Sequence, residues 1–475
     1  MLVEPLNHNR VDARKWLILS GLVLFLTGML FGITGSLQYI LPGLLKTYLS
    51  FEKTRPLHVT SVVFWILFTA TGSVLIYLRE YTGRKVIADW VSRLQLGLFV
   101  LAVLLILSSY VLGIFGGREY WEFPPVLAIL LAAGWILFIV QVTGSIKTLK
   151  HQPVYIWMWL TGAFGFLFTF SESYLWTLPY FGKDIVRDMT VQWKSYGSLV
   201  GSWNMLVYGV GIYLMEKISQ DKSYACSPMA FTLFFLGLFN LMFNWSHHIY
   251  TLPVNPNIRH IGYLVSMTEL FILGRLIYKW KDSMTAARKN KHSLPYRFLM
   301  IADAWIFINL FLAILISVPA INVYTHGTHI TVAHVMGTTI GINTMLLLAV
   351  SFDLLSDTCQ SLEPYRPRIL RATWLVNASL LIFLTSLFLA GVQRARWQMS
   401  IETIPFGQMM KNLMPYFIAF AISGGLMFVA FSIIVYPLLR NTLACLVRSR
   451  ERPVGEGLEP VIYKSNDYAD QNFPI

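Results

Sequence analysis

Apolar residues run along this chain in long uninterrupted blocks. A helix that spans a bilayer needs about 20 of them in succession. Twelve blocks meet that length, near 16–40, 57–79, 91–115, 124–146, 154–177, 192–216, 228–251, 259–280, 298–322, 329–354, 370–392 and 415–444. The blocks at 154–177 and 192–216 are the most polar. No connecting stretch is long enough to fold as a soluble domain, and the chain has neither an internal repeat nor a low-complexity tract. The pattern predicts an all-α polytopic membrane protein of about twelve transmembrane helices. Its parts are an N-terminal segment 1–15, a membrane domain 16–444 and a C-terminal tail 445–475.

Composition agrees. Only 13% of the 475 residues are charged and 56% are apolar, where a soluble chain carries about 25% charged residues. The first block, Trp16 to about Ile40, exceeds a signal-peptide core and lacks a small-residue cleavage site. The net charge of +13 comes from basic residues dispersed among the loops, without a basic patch interleaved with aromatics, and nucleic acid is excluded as a partner. Of the 37 Lys and Arg residues, 25 fall in the termini and even-numbered loops and 11 in the odd-numbered loops. By the positive-inside bias both termini are expected in the cytoplasm. Cys226, Cys359 and Cys445 then lie on the reducing side, and their spacing predicts neither a zinc site nor a disulfide.

Ionisable groups within spans are costly and point to function. Ten histidines are present. His8, His151 and His292 fall in cytoplasmic segments; His58, His247, His248, His260, His326, His329 and His334 all map to the outer side. Successive spans run in opposite directions, so His58 opening the second, His247 and His248 closing the seventh, and His334 entering the tenth reach similar depth in one leaflet. A lone histidine on an apolar face is usually a hydrogen-bonded structural residue. Four imidazoles at matched depth, with an adjacent pair, point instead to metal or haem ligation. Glu269 lies about ten residues into the eighth span, about 15 Å below its outer end at 1.5 Å per residue, placed for proton delivery or service near a metal, with a hydrogen bond to a neighbouring helix as the alternative. Asp303 and Arg275 lie nearer cytoplasmic ends and read as structural. His334 and Met336 are two residues apart, about 200° on a helix, so they face opposite sides. Each can serve a different haem, although a methionine in a membrane helix is ordinarily packing material.

Several stretches resemble the large, haem-bearing subunit of the nitric oxide reductases, a branch of the haem–copper oxidase superfamily. They are GSLQYILP (35–42), RPLHVTSVVFWILF (55–68), GGREYWEFP (116–124), SHHIYTLP (246–253), SMTELF (266–271) and YTHGTHITVAH (324–334), in the family's order across roughly 16–440. The resemblance implies a subunit I-like bundle holding a low-spin haem b, a high-spin haem b and a non-haem iron. By position, His58 ligates the low-spin haem and His334 the high-spin haem. His247 and His248 bind the non-haem metal, with Glu269 close by. Glu119 and Glu122 match carboxylates associated with a structural calcium and with proton entry beside the haem propionates.

Two departures stand out. The family's tenth helix carries His-x-His, and here the second position is Met336, which makes His58/Met336 the expected low-spin pair; His329 is the other candidate ligand. The family's sixth helix supplies a third metal histidine and, four residues later, a glutamate. Here the region reads SYGSLVGSWNMLVYG (195–209), with Ser198 and Ser202 at those places. Two histidines and a carboxylate can hold iron(II), and His247, His248 and Glu269 form such a set, weaker than the family's.

The function expected from the resemblance is reduction of nitric oxide, or a related transformation of it, with electrons from a membrane-anchored cytochrome c subunit or another donor. The chain has no CxxCH, so a c-type haem has to sit on a partner, and it lacks the N-terminal hydrophilic extension of the quinol-dependent form. A non-catalytic haem paralogue that binds or senses gas, or serves as an accessory subunit, is the second reading. An oxygen reductase is the third and less favoured, since the sixth helix offers no candidate for a cross-linked histidine–tyrosine cofactor, although Tyr196 and Tyr208 keep the reading open.

Overall fold

The computed structural model describes residues 12–83, 88–267, 292–356, 361–401 and 404–451. The described residues are almost wholly helical, with one isolated bridge between Arg118 and Trp121. The helices that matter here are α1 (Ala13–Ile40), α2 (Phe51–Thr82), α3 (Asp89–Leu112), α4 (Ala128–Ser145), α5 (Val154–Glu172), α6 (Ile185–Ser219), α7 (Pro228–Phe243) and α8 (Asn257–Met267). They are followed by α9 (Ser293–Ser317), α10 (Pro319–Thr325), α11 (His329–Met336), α12 (Met345–Leu355), α13 (Arg366–Met399), α14 (Phe406–Asn412) and α15 (Met414–Glu451). Eleven helices among the described residues are long and apolar enough to cross a membrane. The remaining expected span, 259–280, begins as α8 and runs outside the described residues.

Ends are set by local chemistry. Asp12 caps α1 by accepting from the Arg14 amide at 3.1 Å, and Asp184 caps α6 by accepting from the Arg187 amide at 2.9 Å. Gly83 and Gly113 close α2 and α3 at φ 61° and 76°, the left-handed region where a side chain is strained.

Every residue of α2 from Val63 to Leu75 is buried, as is every residue of α12 from Met345 to Phe352. Helices apolar all round belong in the interior, and these two form the axis of the bundle. Trp65 Nε1 donates to Thr344 Oγ1 at 3.3 Å, and Tyr77 donates to Asp353 at 2.9 Å, joining α2 to the tenth span near its middle and at its far end. Around this axis, Leu104, Ile129, Phe168 and Trp374 are well exposed, as lipid-facing side chains are. Gly21, Gly28 and Gly32 share one face of α1, where a Cβ would collide with Thr69, Ser61 or Val62, and His58 of α2. Membrane helices approach closely through such small residues, because packing rather than water exclusion drives their association.

The tenth span is not a uniform helix. Between α11 and α12 the chain takes a π turn over Gly337–Thr344, a widening that recurs at functional sites. At the opposite end of the bundle from the histidines, Lys217 of α6 bridges Glu80 of α2 at 3.1 Å and Asp353 of α12 at 2.8 Å. Cys226 is a free, exposed thiol and Cys359 lies outside the described residues, whereas Cys445 is in a disulfide. The last point corrects the expectation of unpaired thiols; disulfides follow Cβ geometry in the fold, which spacing does not encode.

Candidate functional site

His58 sits two turns inside α2, because that helix begins at Phe51, earlier than the apolar block suggested. Its Nδ1 lies 2.7 Å from the Gly28 carbonyl of α1. A carbonyl can only accept, so Nδ1 carries the proton and Nε2 keeps its lone pair. The ring lies over Gly32, where a Cβ would stand 2.8 Å from Nδ1 and 2.9 Å from Cε1. The glycine is therefore a cradle for the imidazole.

One turn earlier in α2, Arg55 donates to Glu122 at 2.8 Å and also to Glu119. The two acidic candidates are thus brought together, with a guanidinium between them. Burial pushes the Glu122 carboxyl above its ordinary range, against the lowering effect of Arg55. The segment that carries them is tightly folded: Gly116 and Gly117 both donate to the Glu122 carbonyl, at 3.0 and 3.1 Å. Tyr120 (φ 69°) packs edge-on against Tyr196 of α6 at 5.2 Å, and Arg118 pairs with Asp188 of α6 at 2.6 Å.

His247 and His248 lie on a 3₁₀ turn, Asn244–His248, just past the end of α7. Their ring centroids are 4.1 Å apart. Trp193 of α6 stacks on His248 at 4.7 Å, nearly parallel at 9°. His326, in the short link between α10 and α11, brings Nε2 to 3.4 Å from His248 Nδ1, and burial holds its pKa below the ordinary histidine value. Buried Asn322 fixes the arrangement: its side chain donates to the His247 carbonyl at 3.0 Å and to the Ile316 carbonyl at 2.9 Å. Tyr250 adds a bond to the Ser317 carbonyl at 3.2 Å.

His334, half-buried in α11, is close enough to His248 for their charges to interact. Asn309 of α9 holds its backbone. In the amide orientation that satisfies both ends, the Asn309 nitrogen donates to the His334 carbonyl at 3.0 Å and its oxygen accepts from Thr338 Oγ1 at 2.6 Å. Met336 is the last residue of α11, half-buried against the main core at the start of the π turn. The structure thus gathers His247, His248 and His326 beside His334, and seats His58 against α1. His260 is exposed. His329 is buried between Tyr39 and Phe417, at ring separations of 6.4 and 5.3 Å, in an aromatic pocket. Glu269 and Arg275 lie outside the described residues.

On α6, Ser202 is fully buried, returns its hydroxyl to the Ser198 carbonyl at 2.8 Å, and faces Gly165 of α5, where a Cβ would stand 2.8 Å from Oγ. Ser202 thus bonds within its own helix, while Ser198 is buried with its hydroxyl unpartnered; Trp193 of α6 is in ring contact with His248 and His326. Sequence reasoning set aromatics aside, since their number says nothing about position, and it left His326 unassigned. The glycine of the THG run was the available signal: Gly327 (φ 73°) makes the turn that follows His326.

The donors suit haem ligation. His58 has its tautomer fixed with Nε2 free, and neutral imidazoles suit iron, copper or zinc. Among the described residues no group of three or more His, Cys, Asp or Glu side chains is arranged so that it could hold a metal ion.

Comparison with known proteins adds a family. The model for cytochrome c and quinol oxidase polypeptide I matches residues 12–426. A cytochrome c oxidase subunit 1 homolog of Agrobacterium tumefaciens is 24% identical over 460 residues, covering 91% of this chain and 83% of that one. A nitric oxide reductase subunit of Stutzerimonas stutzeri is 20% identical over 342 residues, covering 66% and 68%. The fold is similar to a haem–copper terminal oxidase dimer solved by cryo-electron microscopy, with a TM-score of 0.68 at 16% identity, covering 94% of this chain and 85% of that one.

Proposed function

Since this chain belongs to the cytochrome c and quinol oxidase polypeptide I family, we propose that it is the haem-bearing subunit of a membrane respiratory complex that transforms nitric oxide. The observation that carries the reading is the placement of His58 and His334 on the two central spans, with His247, His248 and His326 gathered beside His334. In this reading both haem b groups lie toward the outer side, His58 and Met336 hold the low-spin haem, and His334 holds the high-spin haem. His247 and His248 take the non-haem iron, with Glu269 near it by sequence. Glu119 and Glu122 form the proton entry and the calcium-associated edge.

A haem and a second metal, when bound, supply the redox chemistry by which two NO, two electrons and two protons become N2O and water. The chain's own residues aim and enclose. Gly28 fixes the His58 tautomer, Trp193 covers one face of His248, and Asn322 braces the histidine turn. Nitric oxide is preferred over oxygen as substrate on the SHHIYTLP and YTHGTHITVAH runs. It is also supported by Tyr196, whose ring meets Tyr120 rather than a histidine.

The second reading, a haem-bearing gas binder without turnover, draws on α6, where Ser202 faces α5 instead of the metal histidines. One experiment separates them: purified protein is assayed for haem per chain and for N2O produced from NO with an artificial electron donor. Two haems with N2O formation are expected. Two haems without N2O favour the gas binder, and one haem or none sinks both readings.

A further inference from the structure

We propose that the aromatic core between α2, α3, α4 and α5 is a docking site for one molecule of a small apolar gas, nitric oxide on the reading above. The site stands on its own geometry; only the identity of the guest rests on that reading.

Aromatic rings make a closed circuit there. Phe64 and Phe68 of α2 lie 5.8 Å apart, Phe68 meets Phe99 of α3 at 5.2 Å, and Phe99 meets Trp135 of α4 at 6.4 Å. Trp135 stacks on Phe166 of α5 at 3.9 Å, and Phe166 on Phe170 at 5.8 Å. Trp121, from the segment that carries Glu122, closes the circuit, 5.2 Å from Phe170 and 6.5 Å from Phe64. None of these rings is more than 3% exposed. With Leu67 and Leu131 they line one cavity of about 10 Å³, counted as the room open to the centre of a water-sized molecule. Packed interiors rarely leave such room, and the rings are held from closing it. Trp135 Nε1 donates to the Ala163 carbonyl at 2.8 Å, and the Trp121 amide donates to the Arg118 carbonyl at 2.9 Å. Phe99 leans into a notch at Gly134, where a Cβ would stand 2.6 Å from its ring.

The cavity has room for one small molecule. Water needs two to four polar partners, and the lining presents none: the Trp135 N–H is spent on Ala163, and Trp121 Nε1 does not reach the cavity wall. Apolar cavities stay dry and take apolar guests. An uncharged diatomic needs no hydrogen bond there and gains dispersion contact with the rings.

Placement favours a gas drawn from the bilayer. Ile129 and Ile136 of α4 are well exposed on the lipid side, while Leu131 and Trp135 of the same helix line the cavity. On α5, exposed Phe168 alternates with Phe166 and Phe170 in the same way. One helix layer therefore separates the cavity from lipid. Its other end lies toward the histidines: Phe64 follows His58 by six residues on α2, about 9 Å at 1.5 Å per residue.

The test uses dissolved oxygen, a paramagnetic apolar diatomic, on the full purified chain with ferric haems and fluorotryptophan in place of tryptophan. Fluorine relaxation is compared under oxygen and under nitrogen, with resonances assigned by replacing each tryptophan in turn with phenylalanine. Exposed Trp374 gives the upper reference; Trp159 and Trp203, buried away from the cavity, give the lower one. Oxygen should relax Trp121 and Trp135 well beyond Trp159 and Trp203, toward the rate of Trp374. Leu131→Phe, which fills the cavity, should remove that excess, and Leu131→Ala, which widens it, should increase it. Haem content and spectrum monitor folding, and Leu131→Ala decides alone if Leu131→Phe does not fold.

The inference is overturned if Trp121 and Trp135 relax no faster than Trp159 and Trp203, or if widening the cavity leaves their rates unchanged. Either result leaves the reading above standing. An oxygen effect in a chain that forms no N2O from NO keeps the site and removes nitric oxide as its guest.

Discussion

His58 directs its Nδ1 at the carbonyl oxygen of Gly28, 2.7 Å away on the facing helix, and packs against the next glycine one turn on. The pair decides which nitrogen of the imidazole is free. A Cβ on Gly32 would press within 2.8 Å of Nδ1, whereas at Gly35 the nearest atom would be 3.6 Å away. Gly32→Ala should therefore turn the ring and remove most of the low-spin haem spectrum, while Gly35→Ala leaves it intact. Haem content and absorption spectra of the two variants check this, and an unchanged Gly32→Ala spectrum removes His58 from the ligand set.

Met336 ends α11 two residues beyond His334. In its proposed role opposite His58 it would stabilise ferrous over ferric haem and raise the midpoint potential. Met336→His should lower that potential and give a bis-histidine spectrum, and Met336→Leu should leave a five-coordinate haem. Redox titration of the three proteins decides; if Met336→Leu matches wild type in spectrum and potential, the methionine is packing.

On the proposed reading, a second metal on His247 and His248 without a histidine from α6 should be held more weakly than by the family's three histidines and carboxylate. A chelator should strip it while both haems stay. Ser202→Glu should not restore the family's carboxylate at the site, because Ser202 faces Gly165; overpacking there should cost about 1–3 kcal/mol. Trp193→Leu, which removes the ring stacked on His248, should speed metal loss. Metal analysis before and after chelation, with a thermal melt in detergent, reads each outcome.

Asn322→Ala leaves the carbonyls of His247 and Ile316 without this donor in a buried setting. Unsatisfied buried acceptors cost about 1–3 kcal/mol each. The variant should melt earlier than wild type and lose its non-haem iron to chelator faster, with haem content preserved. A melt equal to wild type would mean that the brace is dispensable.

At the opposite end, Lys217 stands between the carboxylates of Glu80 and Asp353, the latter only 6% exposed. Lys217→Met leaves two like charges facing each other in a poorly solvated place. A destabilisation of about 2–3 kcal/mol is expected, reduced from the fully buried case because Lys217 is 31% exposed. Asp353→Asn in the same background should recover part of it, and detergent melts of the single and double variants measure the coupling.

The spans were legible because bilayer thickness fixes how long an apolar block has to be, and each block can be counted without knowing its neighbours. The start of α2 was read late: Phe51–Arg55 is polar enough to look like a loop, yet it continues the helix, and this moved His58 from the end of the span to two turns inside. The histidine pair was likewise placed at the close of a helix and stands on a separate 3₁₀ turn.

The sequence by itself determined that this chain spans a membrane many times, since hydrophobic length and the cost of polar groups in lipid act locally along the chain. Only the tertiary structure decided which faces meet. Polar residues lie on more than one side of α6, Ser195, Ser198 and Ser202 on one and Asn204 on another, so its pattern leaves open which side meets the histidines. Packing settles it: at Gly197 and Gly201 a Cβ would collide with Trp245 and Leu241 of the neighbouring segment, and at Gly165 of α5 one would meet Ser202. That rotation turns Trp193 toward His248 and Ser202 away. The approach of His326 to His248, 78 positions apart in the chain, and the grip of Arg55 on Glu119 and Glu122 likewise arise from contacts between distant segments. No spacing along the chain encodes such contacts, because they depend on how the whole bundle closes.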